Sequence, residues 1–105
     1  MNIRSEVFVR AFNEPKGFLI DLSEFLSCDE LKDYLIKEHD LYPQECYVSS
    51  STIHLYKEGA NLLEAWERWE LINKIDFDEL NKYDSNIKDL RYADNDELIK
   101  YFKIK

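Results

Sequence analysis

The sequence predicts an α+β fold in which a small antiparallel sheet of about three strands packs against helices, with a helical tail at the C-terminus. The β-prone runs lie in the first half of the chain, and four helix-start patterns precede apolar residues at helical spacing. No internal repeat or Gly/Ser linker divides the 105 residues, of which 45% are hydrophobic. A chain of this size normally builds one core. Residues 1–105 are therefore predicted to form a single domain.

The N-terminal part is predicted to form a β-hairpin. Residues 7–10 and 18–22 are β-prone, and residues 13–17 between them contain the Asn, Pro and Gly typical of a turn. A third strand is expected within residues 46–56, where three serines interrupt β-branched and aromatic residues. Either one bent strand or two short strands fit this pattern. One strand is preferred because a third strand completes a sheet that a helix can cover.

Helix starts are marked by a capping residue followed three positions later by a glutamate. Ser27 with Glu30 has the form of a capping box, in which the Glu side chain returns to the backbone N–H of the cap. The helix that follows is expected to end near His39, because Pro43 cannot continue it.

The same spacing recurs three times in the C-terminal half. Asn61 with Glu64 precedes an apolar stripe at intervals of three and four residues, which predicts an amphipathic helix. Two further short helices are predicted by the corresponding pairs, Asp76 with Glu79 and Asp94 with Glu97.

The formal net charge of -8 is unevenly distributed. Residues 21–45 and 76–97 each carry eight carboxylates against two and three basic residues, and residues 46–75 are nearly balanced. Such a field repels phosphates and anionic membranes and attracts basic surfaces. The expected partner is thus a basic protein, with no direct contact to nucleic acid or membrane; the alternative is that the charge serves solubility alone.

Partner binding is expected to involve both acidic blocks and one aromatic residue. The apolar stripe of the Asn61 helix is most simply a core face, but Trp69 and the tyrosines 42, 47, 56 and 92 are not all expected to fit inside so small a domain. Exposed aromatics beside carboxylates suit an Arg-rich partner. The candidate partner-binding residues are Asp21, Glu24, Asp29, Asp33, Glu38, Asp40, Glu45, Trp69, Asp76, Asp78 and Glu79.

No enzyme, metal or cofactor chemistry is predicted. The two glycines cannot form a phosphate-binding loop, and neither cysteine nor histidine has metal-ligand spacing. The remaining nucleophile candidate is Cys46, if His54 approaches it across a bend. A polar N-terminus and the lack of an apolar run of ~18 residues indicate an intracellular, cytoplasmic protein.

The order of elements over residues 7–75 resembles the N-terminal region of the ArdA-type antirestriction proteins. The similar features are the strand Val7-Phe8-Val9, the turn to Gly17, the strand at 18–22, the helix start Asp29-Glu30-Leu31 and the segment Ile53-His54-Leu55-Tyr56 with Glu58. The family usually has Ile-His-Asp-Tyr-Glu at this last segment, and its members are longer, with further acidic domains.

The resemblance implies an acidic protein that imitates the phosphates of bent duplex DNA, with the carboxylates of residues 21–45 standing in for phosphates. It also implies that a chain this short must dimerise or block a smaller target, such as one site on a CRISPR effector. The leading hypothesis is an inhibitor from a phage or mobile element that acts on a host-defence enzyme in the host cytoplasm. The alternatives are an immunity or regulatory protein that neutralises a basic toxin or partner, and a small enzyme that uses buried carboxylates or the Cys46–His54 pair.

Overall fold

Three strands pair into one antiparallel sheet. A computed structural model describes residues 4–11 and 14–104, in which β1 spans Glu6–Ala11, β2 spans Glu14–Asp21 and β3 spans Cys46–Ser51. The strand order is β2-β1-β3. The predicted hairpin and α+β class are confirmed. However, β2 begins earlier than expected, so residues 14–17 of the predicted turn belong to the strand, and its remaining residue 13 lies outside the described residues.

The register places one apolar face of the sheet in the core. Val7 pairs with Ile20 in β2, and Val9 pairs with Val48 in β3. All four side chains are buried, which is the alternation expected of a sheet covered on one face. On the opposite face the ring of Phe8 lies across Gly17, where a Cβ atom would come within 2.4 Å of two ring carbons and 2.9 Å of the Val9 carbonyl oxygen. Gly17 therefore makes room for the ring of Phe8.

The four predicted helices are present: α1 at Cys28–His39, α2 at Leu62–Ile72, α3 at Phe77–Lys82 and α4 at Asn95–Phe102. Single 3₁₀ turns at Leu22–Glu24 and Pro43–Glu45 flank α1. The caps behave as the spacing predicts, since Ser27, Asn61 and Asp94 each accept the backbone N–H three residues on. These helix boundaries follow from local chemistry. No helix in the described part of the chain is long and apolar enough to cross a membrane.

The third strand is single, as preferred, but it ends at Ser51, and the expectation of a strand over residues 52–56 is wrong. His54 takes a left-handed conformation with φ of 58°, which breaks the extended run. Leu55 and Tyr56 are buried, and the Tyr56 hydroxyl donates to the Arg4 carbonyl oxygen at 2.7 Å. The segment is thus an apolar loop folded into the core.

Helix α2 supplies much of the material that covers the sheet. Its buried face includes Leu62, Ala65, Trp66, Trp69 and Ile72, the stripe predicted from the sequence.

The same side of α2 buries Arg68, which is 8% exposed. The Arg68 guanidinium donates to the carbonyl oxygen of Ala93, so it ties α2 to the segment that leads into α4. Burial lowers the pKa of Arg68, and Asp94 acts in the opposite direction.

Candidate partner-binding surface

Two carboxylates of the first acidic block stabilise local turns. Asp21 accepts the Ser23 N–H at 3.0 Å and the hydroxyls of Ser5 and Ser23. Burial raises the pKa of Asp21, but the hydrogen bonds from Ser23 and Ser5 outweigh it and the pKa lies below its ordinary value. Glu45 accepts the backbone N–H of Tyr42 at 3.0 Å. Both side chains are half-buried, so local structure already uses them.

The other five candidate carboxylates of the first block are exposed. Asp29 lies 3.9 Å from Lys32, a solvent-exposed pair that contributes little to stability. Within the described residues no ion pair involves the remaining four, which are Glu24, Asp33, Glu38 and Asp40. These four carboxylates therefore stay free for an external cation.

The second acidic block belongs to a different part of the surface. Asp76 caps α3 by accepting the Asp78 N–H at 2.9 Å, and Glu79 lies 3.8 Å from Lys82. Phe77 of the same helix lines a cavity of about 600 Å³ together with Arg4, His54 and Tyr83, and no carboxylate of the first block reaches it. None of the cavities formed by the described residues is lined by carboxylates of both blocks.

The expectation that Trp69 forms an exposed aromatic surface is wrong. Trp69 is 7% exposed, because it lies on the same face of α2 as Leu62 and Ile72 and packs into the core with them. Tyr56 is buried too, and Tyr47 is half-buried. Of the aromatic residues that were not all expected to fit inside the domain, Tyr42 and Tyr92 are the two that are exposed.

The positions of Cys46 and His54 argue against the nucleophile pair considered from the sequence. Cys46 begins β3, whereas His54 lies beyond the end of that strand. The five residue steps from Cys46 to Ser51 at the end of β3 already span about 17 Å. Burial raises the pKa of the Cys46 thiol to about 11, so the reactive thiolate is scarce at neutral pH. His54 is exposed, and its carbonyl oxygen accepts the Tyr83 hydroxyl at 2.9 Å. Among the described residues no group of three His, Cys, Asp or Glu side chains could hold a metal ion.

The site predicted from the sequence omitted a stripe of carboxylates on α2. Glu64, Glu67 and Glu70 recur every three residues, are exposed, and make no ion pair in the described structure. The charge of residues 46–75 is nearly balanced in the sequence, but Arg68 is buried whereas the three glutamates are exposed. The outer surface of α2 is consequently acidic. The three-residue spacing of the glutamates, next to an apolar stripe that includes the position of Arg68, could have predicted this acidic surface from the sequence.

An open groove lies between the start of α1 and the side of α2. Its volume is about 720 Å³, and we call it the α1–α2 groove. Phe25, Leu26 and Cys28 line one side, and Trp66, Trp69 and Glu70 are among the residues on the other. Trp66 and Trp69 are the two tryptophans of the chain, and each is 7% exposed. Polar and apolar atoms line the groove in similar shares.

Three carboxylates and two lysines of the described residues surround the groove. The half-buried Cys28 thiol reports on the local field: burial raises its pKa, Lys32 lowers it, and Asp29, Glu70 and Glu67 each raise it further. Carboxylates from the first turn of α1 and from the α2 stripe thus act on one point. Lys74 at the end of the groove is the basic group that lines it. Apolar atoms flanked by carboxylates suit a cationic, partly apolar ligand.

Comparison of the chain with models of known protein families, with curated proteins and with solved structures finds no match. The likeness to the ArdA-type proteins stays a prediction.

Proposed function

We propose that this protein is an acidic inhibitor that binds a basic, nucleic-acid-binding surface of a host-defence enzyme, such as a restriction enzyme or a CRISPR effector. In this proposal it acts in the cytoplasm of the host cell, and its carboxylates occupy positions where the enzyme binds phosphates. The protein performs no catalysis of its own. The observation that carries the proposal is the exposed acidic stripe Glu64, Glu67 and Glu70, of which Glu67 and Glu70 act on Cys28 in the first turn of α1.

Unpaired carboxylates on a rigid element support this function. The α2 glutamates sit on a helix whose other face is locked into the core by Trp66, Trp69 and Ile72. Their backbone positions are therefore set before a partner arrives, which reduces the entropy lost on binding. A dense negative surface also raises the rate of encounter with a cationic one.

The second candidate is an immunity or regulatory protein that neutralises a basic toxin or partner without imitating DNA. The observation that favours it is Leu26, which is 93% exposed at the rim of the α1–α2 groove. A phosphate array has no counterpart to such an apolar side chain, whereas a protein partner does.

DNA cleavage by a panel of purified restriction enzymes and CRISPR effectors tests the proposal. We expect the protein to inhibit at least one of them, and we expect excess duplex DNA added before the protein to relieve the inhibition. Inhibition that DNA cannot compete away would favour the second candidate. If no nuclease of either class is inhibited, the proposed function fails.

A pair of variants with equal loss of charge locates the contact. Glu67→Gln with Glu70→Gln removes two charges from α2, and Asp78→Asn with Glu79→Gln removes two from α3. The loss of net charge weakens long-range attraction equally in both variants, so a larger loss of inhibition in the α2 variant reports direct contact. Equal losses would leave net charge as the only explanation.

A further inference from the structure

Leu26 occupies the position at which many helices place a hydrophobic staple. In that motif the residue before the cap packs against the fourth residue of the helix, which here is Leu31. Leu31 is fully buried, yet Leu26 is 93% exposed and does not cover it. The chain therefore forgoes a local stabilising contact and directs Leu26 into the solvent.

The segment that carries Leu26 is held by its backbone. The Leu26 N–H donates to the Glu30 carboxylate at 2.7 Å, and the Ser27 hydroxyl oxygen accepts the Glu30 N–H at 3.2 Å. In a capping box the glutamate would return to the N–H of the cap, Ser27; here it reaches one residue further back. The Phe25 N–H also donates to the Leu22 carbonyl oxygen at 3.3 Å. Leu26 is thus presented at a defined place.

We propose that the α1–α2 groove receives an apolar, basic segment of a partner protein, with an apolar side chain against Leu26 and the tryptophans and an Arg or Lys beside Glu67 and Glu70. This inference rests on the proposed function, because it names the part of a basic partner that the acidic surface recognises. Charge complementarity selects the occupant: Asp29, Glu67 and Glu70 outnumber the lysines, Lys32 and Lys74, near the groove. An acidic segment would be repelled, and nucleic acid would leave Leu26 without a contact.

Tryptophan fluorescence reads occupancy of the groove directly, since both tryptophans of the chain line it. The probe is a short synthetic peptide that alternates leucines and arginines at helical spacing, and a peptide with glutamates in place of the arginines is its counterpart. We expect a saturable change in emission with the Leu/Arg peptide and none with the Leu/Glu peptide. No change with the Leu/Arg peptide up to millimolar concentration, or equal binding of the two peptides, would overturn the proposal.

Matched variants of exposed apolar residues distinguish binding in the groove from nonspecific hydrophobic binding. Leu26→Ala should weaken peptide binding at least about tenfold, the effect of removing a leucine from an interface. Ile87→Ala is the control, because Ile87 is 85% exposed and does not line the groove. Equal binding by the two variants would overturn the groove as the docking site.

The two proposals fail in different ways. If the Leu/Arg peptide binds in a Leu26-dependent manner but no nuclease is inhibited, the proposed function is wrong and the groove remains a docking site for another basic protein. If a nuclease is inhibited and the Leu26→Ala variant inhibits it as well as the parent protein, the groove proposal is wrong and the acidic surface alone acts.

Discussion

Removing the hydroxyl of Tyr83 should destabilise the fold more than its half-buried position suggests. This hydroxyl donates to the His54 carbonyl oxygen at 2.9 Å and accepts the Leu90 N–H at 3.1 Å. It therefore connects the loop after β3 to the chain between α3 and α4. The bond to His54 is exposed, whereas Leu90 is 1% exposed, so Tyr83→Phe would leave its N–H without a partner in a buried region.

The expected cost follows from these two bonds. An exposed neutral hydrogen bond contributes about 0.5–1 kcal/mol, and an unsatisfied buried donor costs about 1–3 kcal/mol. Tyr83→Phe should thus lower the free energy of unfolding by about 2–3 kcal/mol, and with it the melting temperature by roughly 10–20 °C. Urea unfolding followed by tryptophan fluorescence measures the loss. Tyr92→Phe is the matched control, since Tyr92 is 58% exposed and its hydroxyl makes no hydrogen bond in the described structure. If the two variants are equally stable, the connection through Tyr83 does not contribute as described.

Three further outcomes are expected. Gly17→Ala should lower the free energy of unfolding by about 1–3 kcal/mol, because the ring of Phe8 and the Val9 carbonyl leave no room for a Cβ; unchanged urea stability would contradict this. In the native protein at pH 8, iodoacetamide should modify Cys28 before Cys46, whose pKa near 11 leaves about one thiol in a thousand ionised; equal labelling by mass spectrometry would refute it. Burial raises the pKa of Tyr56 and Tyr83 above the ordinary 10.0, so the stability they contribute should be full below pH 10 and lost as the pH rises further. Tyr56→Phe should show a smaller loss between pH 9 and 11 than the parent protein, and an identical loss would argue against this origin.

The elements that depend on neighbouring residues could be predicted from the sequence. Ser27, Asn61 and Asp94 each accept a hydrogen bond from the N–H three residues further on. The start of each helix can therefore be predicted from four consecutive residues. The hairpin and the α2 stripe follow equally local patterns. The end of β3 does not, because the left-handed turn at His54 is held by Tyr83, which lies 29 residues further along the chain.

The candidate surface was harder to predict because it depends on which side chains are buried. A count of charges treats Arg68 and Glu67 as cancelling, yet the helix places Arg68 in the core and Glu67 in water. Trp69 was a candidate partner-binding residue although its own spacing placed it on the core face, where the structure buries it. The exposure of Leu26 lay beyond local pattern reading, since its position predicts a staple on Leu31 that the structure does not make.

The salt dependence of binding to an inhibited nuclease tests the central claim most directly, namely that the carboxylates of α2 and the start of α1 meet a cationic surface. The dissociation constants of the parent protein and of the variant with Glu67→Gln and Glu70→Gln are to be measured over a range of sodium chloride concentrations. We predict that the affinity of the parent protein falls steeply as salt rises and that the variant shows a weaker dependence. Salt-independent binding, or identical slopes for the two proteins, would contradict the claim.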